Sequence, residues 1–304
     1  MHPRNRHKKG YNFTELTQYC PALKQFLTTS KAGRTTVNFH DDQAVKYLNQ
    51  ALLLTHYQLD FWDIPEQYLC PAVPGRADYI HHLADLLAST NHKKIPRGEK
   101  IRYLDLGTGA NLIYPIIGSQ EYGWTFVGTD VNKQALAAAQ KIIDRNKRLS
   151  QSVSLRLQKT RHAILDQLLP KGEYFDVVCC NPPFYSSAQE AQAENQRKRK
   201  GLSAPQKAKR NFGGQANELW FPGGERAFLG QLIRDSSSFP TQSYWYTTLV
   251  AREANLKPLE KQLRKQPVTD DQIIPMAQGN KASRILAWTF LNSKQRQAWQ
   301  GARW

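Results

Sequence analysis

Apolar residues in the N-terminal third of the chain recur mainly at helical spacing. One such stripe predicts a helix over residues 41–57, which Asp41 or Asp42 can cap. A second stripe, which includes Ile80 and Leu87, predicts another helix after a loop rich in aromatic and turn residues. We therefore expect this part of the protein to be mainly helical.

Beyond residue 100, short apolar runs of strand length alternate with helical segments. The predicted strands are 101–106, 124–128, 153–157, 175–180, 243–250, 272–277 and 283–290. The predicted helices are 112–119, 132–146, 163–169, 225–233 and 256–265. This alternation implies an α/β fold with a parallel sheet covered on both faces, ending in an antiparallel hairpin. The polar tail after residue 291 is expected to fray.

The apolar strand at residues 175–180 stops abruptly at Asn181-Pro182-Pro183-Phe184. The two prolines have no N–H to donate, and the residue before each proline is pushed into extended backbone. An Asn amide therefore stands at the carboxyl end of a buried strand, where open α/β sheets bind ligands. A plain proline turn explains the tetrapeptide by itself equally well.

A second candidate binding element follows the first predicted strand, in the segment Asp105-Leu106-Gly107-Thr108-Gly109-Ala110-Asn111. Gly107 and Gly109 leave room for a ligand beside the backbone, although the third glycine of the dinucleotide fingerprint is absent. Asp130 ends the next strand, where an acid can accept hydrogen bonds from ribose hydroxyls, or can simply cap a helix. The preceding glycine turn favours the ribose role.

The composition indicates a polyanionic partner. The chain of 304 residues has a formal charge of +17 and a pI of about 9.7. Such an excess indicates nucleic acid first and an anionic membrane second. The four cysteines match no zinc pattern, and no metal site is predicted. No signal peptide or membrane-spanning run is visible, so a cytoplasmic protein without membrane association is expected.

Two basic segments are candidates for contact with nucleic acid. The first holds Arg4, Arg6, Lys8 and Lys9 ahead of two aromatic residues, which suits phosphate contact and base stacking. Composition alone slightly favours a solvated, disordered terminus there. The second segment follows the Asn-Pro-Pro-Phe turn and is rich in basic residues, namely Arg197, Lys198, Arg199, Lys200, Lys207 and Arg210. A loop of this length is either functional or disordered.

Seven short segments together resemble one known family. They read HPRNR at 2–6, VPGRADYIH at 73–81, GANLIYP at 109–115, NPPF at 181–184, NFGGQ at 211–215, GGE at 223–225 and AWTF at 287–290. The chain resembles the ribosomal large-subunit methyltransferase F family and the eukaryotic methyltransferase-like enzymes that act on RNA. The resemblance covers nearly the whole chain.

The resemblance implies a class I S-adenosylmethionine-dependent methyltransferase, with a Rossmann-like, mostly parallel seven-stranded sheet and a small helical N-terminal module. It implies methylation of the N6 amine of an adenine in 23S rRNA, adenine 1618 by the family pattern. The partner would be free 23S rRNA or a large-subunit assembly intermediate, bound by a monomer. The implied cofactor contacts are Arg76, Asp105, Gly107, Gly109, Asn111, Asp130 and Asn181, with residues 158–160 beside the cofactor adenine.

The implied catalytic residues are Asn181, Pro182, Pro183 and Phe184, and their chemistry suits the reaction. The Asn181 amide oxygen and the Pro182 carbonyl can each accept one N–H of an exocyclic amine, while Phe184 stacks on a base removed from its neighbours. The chain then divides into a basic RNA-binding module (1–70), a methyltransferase domain (71–291) with a basic substrate loop (185–224), and a tail (292–304).

Three alternative functions stay open at this stage. A guanine-N2 rRNA methyltransferase and a protein-glutamine methyltransferase use a similar Asn-Pro-Pro-aromatic motif. A noncatalytic RNA-binding protein with a vestigial cofactor fold is the third. The basic charge disfavours the glutamine enzyme, and the presence of Gly107, Asp130, Asn181 and Phe184 disfavours the vestigial protein.

Overall fold

In a computed structural model that describes residues 1–160, 163–187, 189–190, 220–278 and 281–304, a seven-stranded sheet forms the centre of the molecule. A small antiparallel ribbon of β1 (Leu27–Thr29) and β2 (Thr35–Val37) precedes it. The strands of the main sheet are β3 (Arg102–Leu106), β4 (Thr125–Asp130), β5 (Val153–Leu157), β6 (Phe175–Cys180), β7 (Ser243–Val250), β8 (Asp270–Gln278) and β9 (Lys281–Thr289). Their order is β5-β4-β3-β6-β7-β9-β8, and β9 is antiparallel to both of its neighbours. The prediction of a mostly parallel sheet is confirmed.

The helices of the described residues are α1 (Phe13–Tyr19), α2 (Asp42–His56), α3 (Val73–Thr90), α4 (Ile113–Tyr122), α5 (Lys133–Asp144), α6 (Lys147–Ser152), α7 (Gly224–Ser236), α8 (Leu256–Leu263) and α9 (Ser293–Arg303). Local chemistry explains several of their starts. The Asp41 carboxylate accepts the N–H groups of Gln43 and Ala44 at the start of α2, and Asn132 caps α5 in the same way. The predicted cap of α2 is therefore confirmed.

The order of the sheet reverses between β3 and β6, and this reversal positions the candidate site. The two strands lie side by side and parallel, with Leu106 paired with Cys180 at their carboxyl ends. The residues that follow, Gly107 and Asn181, therefore leave the sheet next to each other. Such a switch point is where open α/β sheets form a ligand crevice.

The N-terminal segment is folded against α3, so the expectation of a disordered terminus is wrong. His2, Asn5 and His7 are 6%, 4% and 2% exposed. The His2 backbone N–H donates to the Asp78 carboxylate at 2.8 Å, and the Asn5 amide donates to the Pro74 carbonyl at 2.8 Å. Composition cannot reveal these partners because they lie more than 65 residues away along the chain.

The C-terminal residues form α9 rather than a frayed tail, because they converge on the fully buried Asp176. Asp176 accepts the indole N–H of Trp299 at 2.7 Å and that of Trp304 at 2.6 Å. The Arg303 guanidinium pairs with the same carboxylate at 2.8 Å, and the Arg102 N–H donates to it at 2.8 Å. The end of the chain is thus fastened to the start of β3 and to β6.

Replacement of Asp176 with alanine is expected to lower the free energy of unfolding by about 3–5 kcal/mol, because the Arg303 charge loses its buried partner. Equilibrium denaturation of the purified variant measures this loss. Asp166→Ala is the matched control, since Asp166 is exposed in a turn and should shift stability by no more than about 0.5 kcal/mol. Equal stability of the two variants would show that the cluster contributes nothing.

The segment predicted as a helix at 163–169 is a series of turns in the structure. Ile164, Leu165, Leu168 and Leu169 are buried as the pattern indicates. However, Gln167 has a φ of +63°, which a right-handed helix does not allow. Apolar spacing at i, i+1, i+4 and i+5 fits a buried turn as well as a helix.

Among the described residues, no helix is both long and apolar enough to cross a membrane.

Candidate active site

A cavity opens at the carboxyl ends of β3, β4 and β6. Residues at the ends of these three strands line it: Gly107, Gly109 and Asn111 after β3, Asp130 at the end of β4, and Asn181 after β6. All five are among the residues predicted to contact the cofactor. The structure therefore brings together residues that lie up to 74 positions apart in the sequence.

The turn after β3 has the geometry that its glycines predict. Gly107 and Gly109 have φ angles of +74° and +64°, in the left-handed region that favours glycine. The Gly109 N–H donates to one oxygen of Asp130 at 3.1 Å, and the Asn132 N–H donates to the other at 2.8 Å. Asp130 thus holds the glycine turn and the start of α5 while lining the cavity.

Asp105 lies beneath this turn, 1% exposed, rather than among the residues that line the cavity. Burial raises the pKa of its carboxyl group to about 7, and the nearby Thr108 hydroxyl and Cys179 thiol oppose that rise. The Cys179 thiol donates to Asp105 at 3.7 Å. A carboxyl group with this pKa changes charge near neutral pH.

We expect Asp105→Asn to change the pH dependence of stability. The folded-state pKa of Asp105 is raised above 3.8, so its protonated form stabilises the fold at low pH, and this contribution disappears as pH rises to about 7. The unfolding free energy of the variant relative to wild type should therefore increase between pH 4 and pH 7 and then level off. Parallel stability curves for the two proteins would contradict the assignment.

Arg76, from the first turn of α3, also lines the cavity. Its guanidinium donates to the Tyr114 hydroxyl of α4 at 3.0 Å, and the cation lies 5.8 Å from the Tyr114 ring centroid. α3 and α4 therefore hold a half-buried positive charge beside the glycine turn. A cation placed there can pair with a carboxylate of a bound ligand.

Asn181 is the most informative residue of the Asn-Pro-Pro-Phe turn. Its amide oxygen is shielded from solvent and has no hydrogen-bond partner among the described residues. A buried acceptor left without a partner costs about 1–3 kcal/mol, so native proteins seldom leave such an atom unsatisfied. Pro183 also lines the cavity, whereas Pro182 is buried and Phe184 is half-buried just beyond.

Three aromatic residues that line the cavity were not predicted from the sequence. Trp220, Phe221 and Phe228 line it, with Phe221 packed edge-to-face on Phe228 at 5.3 Å. The available signal was a pair of aromatic residues directly before Pro222-Gly223-Gly224. Gln158, predicted with residues 159 and 160 to lie beside the cofactor adenine, lines the cavity too.

The predicted RNA-binding residues fall into three groups. Arg4 pairs with Asp85 at 2.7 Å and Arg6 with Glu121 at 2.5 Å, so both fasten the N-terminal segment to the protein. Lys8 and Lys9 are exposed. The other predicted contacts, Arg197, Lys198, Arg199, Lys200, Lys207 and Arg210, lie outside the described residues, as does the NFGGQ segment.

The residues of the cavity fit a methyl donor that carries a nucleoside, a cationic sulfur and an amino acid. Apart from its chain neighbours, no atom lies within 4 Å of where a Gly107 Cβ would stand, so a ligand can approach the backbone there. Asp130 offers a carboxylate for ribose hydroxyls, and Arg76 offers a cation for a carboxylate. Within the described ranges, no group of three or more His, Cys, Asp or Glu residues could hold a metal ion.

Comparison with known proteins agrees with this arrangement. A family model described as RNA methyltransferase matches residues 1–292. Ribosomal RNA large subunit methyltransferase F of Dechloromonas aromatica is 47% identical over 311 aligned residues, which cover 100% of this chain and 91% of the relative. The protein of the same name from Cronobacter sakazakii is 49% identical and covers 98% of this chain and 96% of the relative.

Solved structures of human METTL16 share the fold over nearly the whole chain. The catalytic domain in complex with MAT2A 3'UTR hairpin 1 is 32% identical, has a TM-score of 0.81, and covers 96% of each chain. The N-terminal domain in complex with SAH is 30% identical, with a TM-score of 0.74, over 96% of this chain and 99% of the other.

Proposed function

The chain belongs to the RNA methyltransferase family, and we propose that it transfers a methyl group from S-adenosylmethionine to the N6 amine of an adenine in 23S rRNA. The relatives named ribosomal RNA large subunit methyltransferase F support 23S rRNA as the substrate, either free or within a large-subunit assembly intermediate. The METTL16 complexes with an RNA hairpin and with SAH support the substrate class and the cofactor.

The buried, unpartnered amide oxygen of Asn181 carries the proposal. The N6 amine of adenine offers two N–H donors, and one of them can satisfy this acceptor. The Pro182 carbonyl accepts the other. Because its lone pair is delocalised into the ring, the amine is a poor nucleophile, and two acceptors that hold both N–H groups draw the nitrogen toward a tetrahedral geometry.

The other half of the cavity holds the cofactor. Gly107, Gly109 and Asn111 receive its amino-acid end, Asp130 accepts the ribose hydroxyls, and Arg76 pairs with its carboxylate. When bound, the cofactor supplies a methyl carbon activated by the positively charged sulfur. The protein contributes mainly by holding the amine in line with that carbon and excluding water. No general base is required, since the amine becomes acidic only as its new bond forms.

The remaining site residues have roles in binding the RNA. Phe184 stacks on the extruded base, which stabilises it by about 1–3 kcal/mol. The exposed Lys8 and Lys9, together with the basic segment within 185–224, contact phosphates. Phosphate contacts position the RNA and make its binding dependent on salt, but do not select the target base.

Mass spectrometry of rRNA fragments tests this function directly. The proposal expects one N6-methyladenosine of 23S rRNA to be lost from cells without the gene and restored by a plasmid copy. Purified protein with S-adenosylmethionine should install the same mark on rRNA from the deletion strain. An unchanged adenine, or the loss of an N2-methylguanine instead, would overturn the assignment.

A further inference from the structure

The Trp220 indole N–H is a buried polar group at the cavity, and the proposed mechanism does not use it. Its Nε1 atom is shielded from solvent and has no hydrogen-bond partner in the described part of the chain. Trp220 lines the same cavity as Asn181. A buried tryptophan usually finds a partner for its N–H, and a donor left without a partner is unfavourable.

Backbone contacts hold Trp220 beside the Asn-Pro-Pro-Phe turn. Trp220 forms a parallel bridge with Tyr185, the residue that follows Phe184. The Phe221 N–H donates to the Tyr185 carbonyl at 3.0 Å, and the Gly224 N–H donates to the Phe221 carbonyl at 2.7 Å. Trp220 is therefore positioned between the Asn-Pro-Pro-Phe turn and the start of α7.

Among the described residues that line the cavity, the Asn181 amide oxygen is an unpaired acceptor and the Trp220 indole N–H is an unpaired donor. This pair complements the amine edge of adenine. The N6 amine donates, and the ring nitrogens N1 and N7 that flank it on either side both accept. Guanine and cytosine have an acceptor on only one side of their amine.

We propose that Trp220 is a specificity residue that donates its indole N–H to N1 or N7 of the adenine whose amine Asn181 holds. The inference rests on the proposed function and adds a contact to the base itself. Because a buried donor is left unpaired when the ring acceptor is absent, the contact discriminates against bases that lack it.

The test compares wild type with Trp220→Phe, which keeps an aromatic ring but removes the N–H. The substrates are three ligated 23S rRNAs that carry adenosine, 1-deazaadenosine or 7-deazaadenosine at the position methylated by wild type. On adenosine, the variant should lose about tenfold in kcat/KM, the factor that corresponds to about 1.4 kcal/mol for one hydrogen bond. On the analogue that lacks the contacted nitrogen, wild type and variant should be equal. On the other analogue, the tenfold ratio should persist.

Trp245→Phe is the matched control, since the Trp245 indole N–H is also buried and without a partner among the described residues, but it lies in β7 away from the cavity. This control should match wild type on all three RNAs. A Trp220→Phe variant as active as wild type, or one with the same loss on all three RNAs, would overturn the inference while the proposed function stands. Wild type that methylates no adenine would overturn both.

Discussion

Asn181→Ala is expected to lower the rate of methyl transfer to 23S rRNA by at least about a hundredfold, the scale of losing one preorganised hydrogen-bonding group at a reacting centre. The variant removes the buried oxygen that we assign to the substrate amine. Single-turnover transfer from radiolabelled S-adenosylmethionine measures the effect. Cofactor affinity, measured by calorimetry, should change little, because Gly107, Asp130 and Arg76 remain.

Asn181→Asp supplies the matched comparison, because aspartate keeps an acceptor oxygen at the same distance from the backbone. Its activity should lie between those of wild type and the alanine variant. An Asn181→Ala enzyme that transfers methyl groups at the wild-type rate would exclude the proposed role of the amide oxygen. A parallel loss of cofactor binding would move Asn181 from the substrate half of the site to the cofactor half.

Gly107→Ala is expected to weaken binding of S-adenosylmethionine by at least about tenfold, since its methyl group would occupy the open space into which we propose that the cofactor binds. The φ of +74° adds a backbone cost of about 1–2 kcal/mol to the folded state. Calorimetric titration with S-adenosylmethionine measures the first effect, and denaturation measures the second.

Gly172→Ala separates these two effects. Gly172 has a φ of +86°, is exposed, and likewise has open space where a Cβ would stand, but it does not line the cavity. Both variants should lose similar stability, and only Gly107→Ala should lose cofactor affinity. Equal affinities in the two variants would show that the turn after β3 does not receive the cofactor.

The sheet could be predicted from the sequence because its strands are dictated locally. The strands expected at 153–157, 175–180 and 243–250 have those bounds in the structure. The strand at 175–180 is a mainly apolar run, and the prolines that follow Asn181 leave the ladder no donor with which to continue. The glycine turn and Asp130 were predictable for the same reason, since each marks the end of one strand.

The two ends of the chain were mispredicted because their partners are remote in sequence. Trp304 donates to Asp176, 128 residues earlier, and His2 donates to Asp78, 76 residues later. A polar terminal segment has the composition of a disordered one until such buried partners are known. Arg4 and Arg6 illustrate the same limit, since composition cannot reveal their ion pairs with Asp85 and Glu121.

The sequence by itself determined the α/β fold, the glycine turn after β3, and the Asn-Pro-Pro-Phe motif at the end of a buried strand. These features depend on backbone chemistry within a few residues of Gly107 and Asn181. Only the tertiary structure decided which side chains share the cavity. Arg76 reaches Tyr114 from another helix, and Trp220 returns to the catalytic turn through its bridge to Tyr185. Such pairings depend on how the crossovers pack around the sheet, and the local spacing of residues does not predict them.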